Sequence, residues 1–243
     1  MAMKSQKLKL HTPPPPSRPK DGPLIKSQNY NLKLKTRKPE IRYLEDLKMV
    51  LYDKKWAKNA PNFPVYYMYR GIKQKGDLRY DITVIPPRML SQEFTKTKGH
   101  EHSNKYGEVY IILKGQAIYL IQKWKKNRVD DVYAVKARRG DIVVIPPYYG
   151  HITINPVKEE LKEANWISKK CKNIYNLFEK KRGACYYYTK RGWAKNKNYK
   201  KIPKLRFEKP LNPVRKAKVL KAIEALKFSN EVKKIPKDLD FLK

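Results

Sequence analysis

Two histidines two residues apart, His100 and His102, lie in the stretch TKGHEHSNKYGEVYIILKG at 97–115. In an extended strand, residues i and i+2 project from one face, so both imidazoles point the same way. Glu108 follows six residues after His102, and Tyr110 and Ile112 continue its alternation. His151 comes much later, after another strand-like run and the Pro146-Pro147 turn, in PPYYGHITIN. Of the four histidines in the chain, three fall in these two short stretches. Three imidazoles and a carboxylate form a ligand set for one divalent first-row cation, with coordination positions left open for substrate or water. Fe, Mn, Ni and Zn all suit such a nitrogen-rich site, and nothing in the residues chooses among them. An HxH pair alone is weak evidence, because a strand histidine is commonly a packed or surface residue. The concentration of three carries the reading. The fourth, His11, sits beside the Pro13–Pro16 run and reads as a solvated tail residue.

The elements that must hold these residues read as strands. Short β-branched and aromatic runs occur at 65–69, 80–85, 92–97, 108–114, 117–122, 132–135, 141–145 and 151–155. Gly and Pro-Pro turn signals at 75–77, 86–87, 114–115, 139–141 and 146–147 separate them. Many short strands at this spacing, without intervening helices, predict an all-β jelly-roll barrel with a few peripheral helices. Ile41, Leu44, Leu47 and Leu51 sit at near-helical spacing and predict a short amphipathic helix ahead of the barrel.

Composition shifts divide the chain. Residues 1–40 are basic and proline-containing and read as an extended arm. Residues 41–193 form the β domain, with a polar, helix-like insertion at 156–182 whose buried side would be Trp166, Ile174, Leu177 and Phe178. Residues 194–243 read as a basic linker and a C-terminal amphipathic helix, capped at Asn212 with Pro213 in the first turn. Its apolar stripe is Val214, Val219, Leu220, Ile223 and Leu226.

A chain of 243 residues is long enough to bury a substantial core. Its 57 Lys+Arg against 22 Asp+Glu leave a net charge of +35. That excess points either to a polyanionic partner such as RNA or the ribosome, or to AT-biased coding rich in Lys, Asn, Tyr and Ile. Most of it lies in 1–40 and 156–243, outside the strand-rich centre. The two cysteines, Cys171 and Cys185, lack CxxC spacing and do not form a disulfide framework, so a reducing, cytoplasmic setting is expected. No apolar run nears the ~20 residues of a membrane span, and 1–16 lacks the apolar stretch of a secretory signal.

GHEHSNKYGEVYIILKG followed by GDIVVIPPYYGHITIN resembles the two signature motifs of the cupin superfamily. The finer pattern runs through Thr97, Lys98, Gly99, His100, His102, Glu108, Val109, Tyr110, Leu113, Gly115 and Leu120 to Pro146, Pro147, Tyr148, His151 and Asn155. It resembles the archaeal cupin-type glucose-6-phosphate isomerases, and the likeness covers roughly residues 41–155. It implies a double-stranded β-helix fold, a homodimer and a metal held by His100, His102, Glu108 and His151. It further implies a sugar-phosphate pocket at positions matching Tyr67, Thr83, Thr97, Gly99, Tyr110 and Tyr148. Hydroxyls and backbone N–H groups suit phosphate oxygens, and tyrosines suit a polar ring; Lys98 offers a further charge.

The activity implied is aldose–ketose isomerisation between glucose 6-phosphate and fructose 6-phosphate, in glycolysis and gluconeogenesis. Glu108 is the catalytic candidate, a carboxylate beside the metal that reaches the substrate carbon. A hydride shift would need the metal but no base. Two other readings stand beside this one. One is an isomerase or epimerase of another sugar phosphate; the other is a cupin-fold protein whose basic ends bind RNA or the ribosome, catalysis being reduced or lost.

Overall fold

The computed structural model describes residues 37–103, 106–126 and 128–211. Its strands in the first half are β1 (Glu40–Tyr43), β2 (Pro64–Lys75), β3 (Leu78–Ile85), β4 (Met89–Leu90), β5 (Glu93–Phe94), β6 (Glu101–His102), β7 (Glu108–Lys114) and β8 (Gln116–Lys125). There follow β9 (Arg128–Arg138), β10 (Ile142–Ile145), β11 (Tyr149–Ile154), β12 (Leu161–Ser168), β13 (Asn173–Ile174), β14 (Tyr186–Thr189), β15 (Gly192–Lys195) and β16 (Arg206–Glu208). Short helices α1 (Leu44–Leu47), α2 (Lys54–Asn59) and α3 (Asn176–Lys180) lie at the periphery.

A six-stranded sheet in the order β1-β2-β3-β12-β7-β10 and a four-stranded sheet β11-β8-β9-β16 form the all-β jelly roll that the strand pattern predicts. Two smaller sheets, β13-β6 and β15-β14-β5-β4, complete the pairing. Alternation decides what each strand buries. On β7, Tyr110 and Ile112 join Tyr119 and Ile121 of β8 and Val143 and Ile145 of β10 in one core cluster. Val109 and Ile111 turn the other way, to Tyr80, Ile82, Val84 and Trp166. Ile118 and Leu120 on the far side of β8 pack on Ile152, Ile154, Phe178 and Tyr186.

Three stretches depart from the sequence reading. Ile41 lies in β1, and the helix after it is a single turn at Leu44–Leu47 run into a 3-10 turn at Lys48–Val50. The region 156–182 contains β12, a central strand of the larger sheet, rather than a helical insertion. β12 is bonded on both sides, to β3 and to β7, with Glu163 opposite Thr83 and Ile112. Its residues at 163 and 165 are polar although buried, which erases the apolar alternation that marks a strand. Residues 206–208, read as linker, pair in parallel with β9. The arm through residue 36 and the helix expected from Asn212 lie outside the described residues. Among the described residues no helix is long and apolar enough to cross a membrane.

Candidate metal centre

Glu108 begins β7, held in register opposite Ile145 of β10. His151 is on β11, paired with Ile121 of β8, so the carboxylate and the third imidazole come from different sheets. His100 is tied to His151 by a pair of backbone hydrogen bonds, with His151 N donating to His100 O at 3.0 Å and the return bond at 3.3 Å. His102, in β6, pairs with Asn173. Ligand atoms of His100, His102, Glu108 and His151 all lie within 4.8 Å of one another.

His102, Glu108 and His151 each meet a further group. His102 Nδ1 is 3.2 Å from the Tyr106 carbonyl oxygen, which only a protonated Nδ1 can satisfy. Its Nε2 lies 3.1 Å from Glu108 Oε2. Asn165 Nδ2 donates to Glu108 Oε1 at 2.6 Å and so turns Oε2 toward the imidazoles. The Tyr110 hydroxyl is 3.0 Å from His151 Nε2. His151 Nδ1 is buried without a hydrogen-bond partner among the described residues.

The electrostatics favour cation binding. Burial, with the neighbouring His151 and His102, drives His100 well below the ordinary imidazole range. Burial also pushes His151 down to about 4, against the pull of Glu108. Both rings are therefore neutral at pH 7. Burial alone would raise Glu108, but its hydrogen bond to His102 and its electrostatic contacts with His102 and His151 outweigh it and hold the carboxyl below its usual range. A carboxylate held below its usual range beside neutral His100 and His151, in a buried cluster with an orphaned ring nitrogen, fits a divalent cation.

The centre opens into a cavity lined among others by Tyr66, Arg70, Arg79, Thr83, Thr97, Tyr110, Glu163, Asn165, Asn173 and Tyr175. Of the residues expected to bind substrate, Thr83, Thr97 and Tyr110 line it. Tyr67 does not: β2 alternates, and Tyr67 packs in the outer cluster while Tyr66 faces inward. Tyr148 is 59% exposed, with φ 68°, and also stays off the lining. Gly99 packs behind the site; at φ +87° a Cβ there would come within 2.5 Å of Ile152 Cγ2 and 2.6 Å of Phe178. The Lys98 ammonium is committed to Glu179 at 2.6 Å.

Sequence reasoning missed Arg70, Arg79, Glu163 and Asn165. The last two were concealed by reading 156–182 as a helix, because buried polar residues at 163 and 165 leave no apolar alternation to mark the strand. Glu163 is buried, receives the Tyr119 hydroxyl, and is pushed by burial up to about 8 despite the Tyr119 and Thr153 hydrogen bonds. It is thus a neutral carboxylic acid at pH 7.

A family model described as glucose-6-phosphate isomerase matches residues 41–204. A Thermococcus litoralis protein named glucose-6-phosphate isomerase is 36% identical over 124 residues, which cover 49% of this chain and 63% of the relative. A Pyrococcus abyssi protein of the same name is 34% identical over 121 residues, covering 47% and 62%. The chain thus spans a little under two thirds of the length of these relatives. Among solved structures, oxalate oxidase in complex with the substrate analogue glycolate aligns over 46% of this chain and 55% of its own, at 15% identity and a TM-score of 0.38.

Proposed function

This chain belongs to the glucose-6-phosphate isomerase family, and we propose that it interconverts glucose 6-phosphate and fructose 6-phosphate. One observation carries the reading: His100, His102, Glu108 and His151 converge within 4.8 Å at the wall of a cavity, inside the span the family model matches. A divalent Fe, Mn, Ni or Zn ion held by these four residues would supply a Lewis acid for the oxygens on C1 and C2.

The chain's own groups do the rest. Glu108, ionised and pinned through Oε1 by Asn165, presents Oε2 to the cavity and takes the proton from C2 of the open-chain aldose. Returning that proton to C1, while the O2 hydroxyl proton passes to O1, yields the ketose with atoms and charge balanced. The Tyr110 hydroxyl orients the sugar oxygens, and Thr83, Thr97 and Tyr66 offer hydroxyls along the cavity. Enclosure by strands from both sheets excludes water from the enediol. A homodimer, and a role in glycolysis and gluconeogenesis in the cytoplasm, belong to the same proposal.

The test is an isomerase assay on purified full-length protein loaded in turn with Fe, Mn, Ni and Zn, with metal content measured in parallel. Turnover with one or more of them is expected. Metal bound at one equivalent with no turnover of glucose 6-phosphate would overturn the substrate assignment.

A further inference from the structure

Between Glu179 and Glu208 the chain carries 11 Lys and Arg residues and no Asp or Glu. A coding bias toward lysine adds cations, but it does not clear acids from so long a run. The fold gathers part of that run against a second basic segment, KWKKNR at 123–128, around the β8–β9 turn. Lys181 is the meeting point. Its Nζ lies 5.3 Å from the centroid of the Trp124 ring and 5.7 Å from that of Tyr199, and it donates to Asn198 O at 3.3 Å. Trp124 and Tyr199 meet edge to face, with 5.7 Å between centroids. Asn196 fastens the loop after β15 to the end of α3, its Nδ2 donating to the Lys181 and Ala184 carbonyl oxygens, each at 2.9 Å. The β8–β9 turn, the end of α3 and the loop after β15 therefore share one surface.

Lys125, Lys126, Lys197, Lys200 and Lys201 are exposed there, and among the described residues none of the five forms an ion pair. The acids that border these segments are engaged: Glu179 by Lys98 at 2.6 Å, Asp131 by Arg206 at 2.7 Å, and Asp130 with Arg128 3.8 Å away. Trp124 stands partly exposed among these cations. Lysines around an accessible indole suit a single nucleic-acid strand, its phosphates going to the ammonium groups and a base to the ring. A bilayer would ask for an apolar anchor, and none of the exposed large apolar side chains lies on these segments. An acidic peptide would use the charge and not the ring. We infer that this surface binds RNA in single-stranded form, the state in which RNA is ordinarily met. It shares no residue with the lining of the metal-centre cavity, so the inference stands apart from the isomerase reading. The sequence reading places a polyanion contact at 1–40 and 194–243; residues 197–201 fall in the second of these, and the barrel itself supplies the β8–β9 turn.

The test is fluorescence anisotropy of a short labelled oligouridylate, titrated with full-length protein over a series of salt concentrations. Wild type is compared with two variants of equal net charge, K125Q/K126Q/K197Q/K200Q on this surface and K55Q/K58Q/K136Q/K158Q elsewhere, all at exposed lysines. Equal charge cancels what the basic ends contribute. Four lost phosphate contacts predict a plot of log K against log salt that is shallower by about 3 in the first variant, and little changed in the second. Trp124→Leu, which keeps apolar packing on Tyr199, is expected to bind about 10-fold more weakly at an unchanged slope. Thermal unfolding is run on each; if Trp124→Leu fails to fold, the two lysine variants still decide. Equal slopes and affinities in those two variants, or no binding by wild type at low salt, overturn the inference. So does an oligoglutamate of the same charge that displaces the probe as well as unlabelled oligouridylate does, because it needs no ring. Tighter binding of an oligodeoxyuridylate of the same length overturns the assignment to RNA.

Discussion

Asn165 Nδ2 donates to Glu108 Oε1 at 2.6 Å, across the β12–β7 ladder, and that bond decides which carboxylate oxygen faces the three histidines. Both residues are buried, so no water replaces the amide if it is removed. Asn165→Leu leaves Oε1 without its donor and frees the carboxylate to rotate. Metal affinity is expected to fall about 10–100-fold, as for other lost partners of metal ligands. Competition against a chelator of known affinity measures it, and Asn165→Gln, which keeps an amide at a different reach, should recover only part.

The histidines set the acid limit. His151 holds a proton only near pH 4 when folded, against 6.5 for an ordinary imidazole. Between those values the unfolded chain binds a proton that the folded chain refuses, so metal-free protein loses stability as pH falls through this window. Chemical denaturation at pH 7, 6, 5 and 4 reads it. His151→Gln flattens that part of the profile and abolishes stoichiometric metal by elemental analysis.

Glu163 works in the opposite sense. Its folded pKa of about 8 lies above the ordinary 4.5, so the folded chain binds more protons than the unfolded one between these values. Its contribution to stability is therefore lost as pH rises through that window. Glu163→Gln keeps an acceptor for the Tyr119 hydroxyl and cannot ionise. Relative to wild type, the metal-free variant should gain on the order of a few kcal/mol at pH 9 and almost nothing at pH 5.

Lys96 and Glu93 are a buried pair, each about 1% exposed, with Nζ 2.6 Å from Oε1. Nζ also donates to Val50 O, and Glu93 accepts from Tyr52 N, so the pair ties β5 to the turn after α1. Lys96→Met strands a carboxylate without its cation and should cost about 3–5 kcal/mol. Changing both, to Met and Leu, should cost less than either single change, which a double-mutant cycle by urea unfolding shows.

What the sequence alone determined is local: two short motifs concentrate three histidines and a carboxylate, and the structure brings these four residues within 4.8 Å of one another. His100, His102 and Glu108 were legible for that reason, as was the all-β class from turn signals and β-branched runs. What only the tertiary structure decided is non-local. β12 is a strand because β3 and β7 supply its hydrogen bonds, not because its own residues alternate. Tyr66 rather than Tyr67 faces the cavity because neighbouring residues of β2 take opposite faces, and only the packing of the sheets decides which face turns inward. Arg70, Asp81 and Arg79 meet only when the β2–β3 hairpin closes. In the sequence they are three charges among many; in the fold a buried carboxylate must collect donors, and it aims two guanidiniums at the cavity.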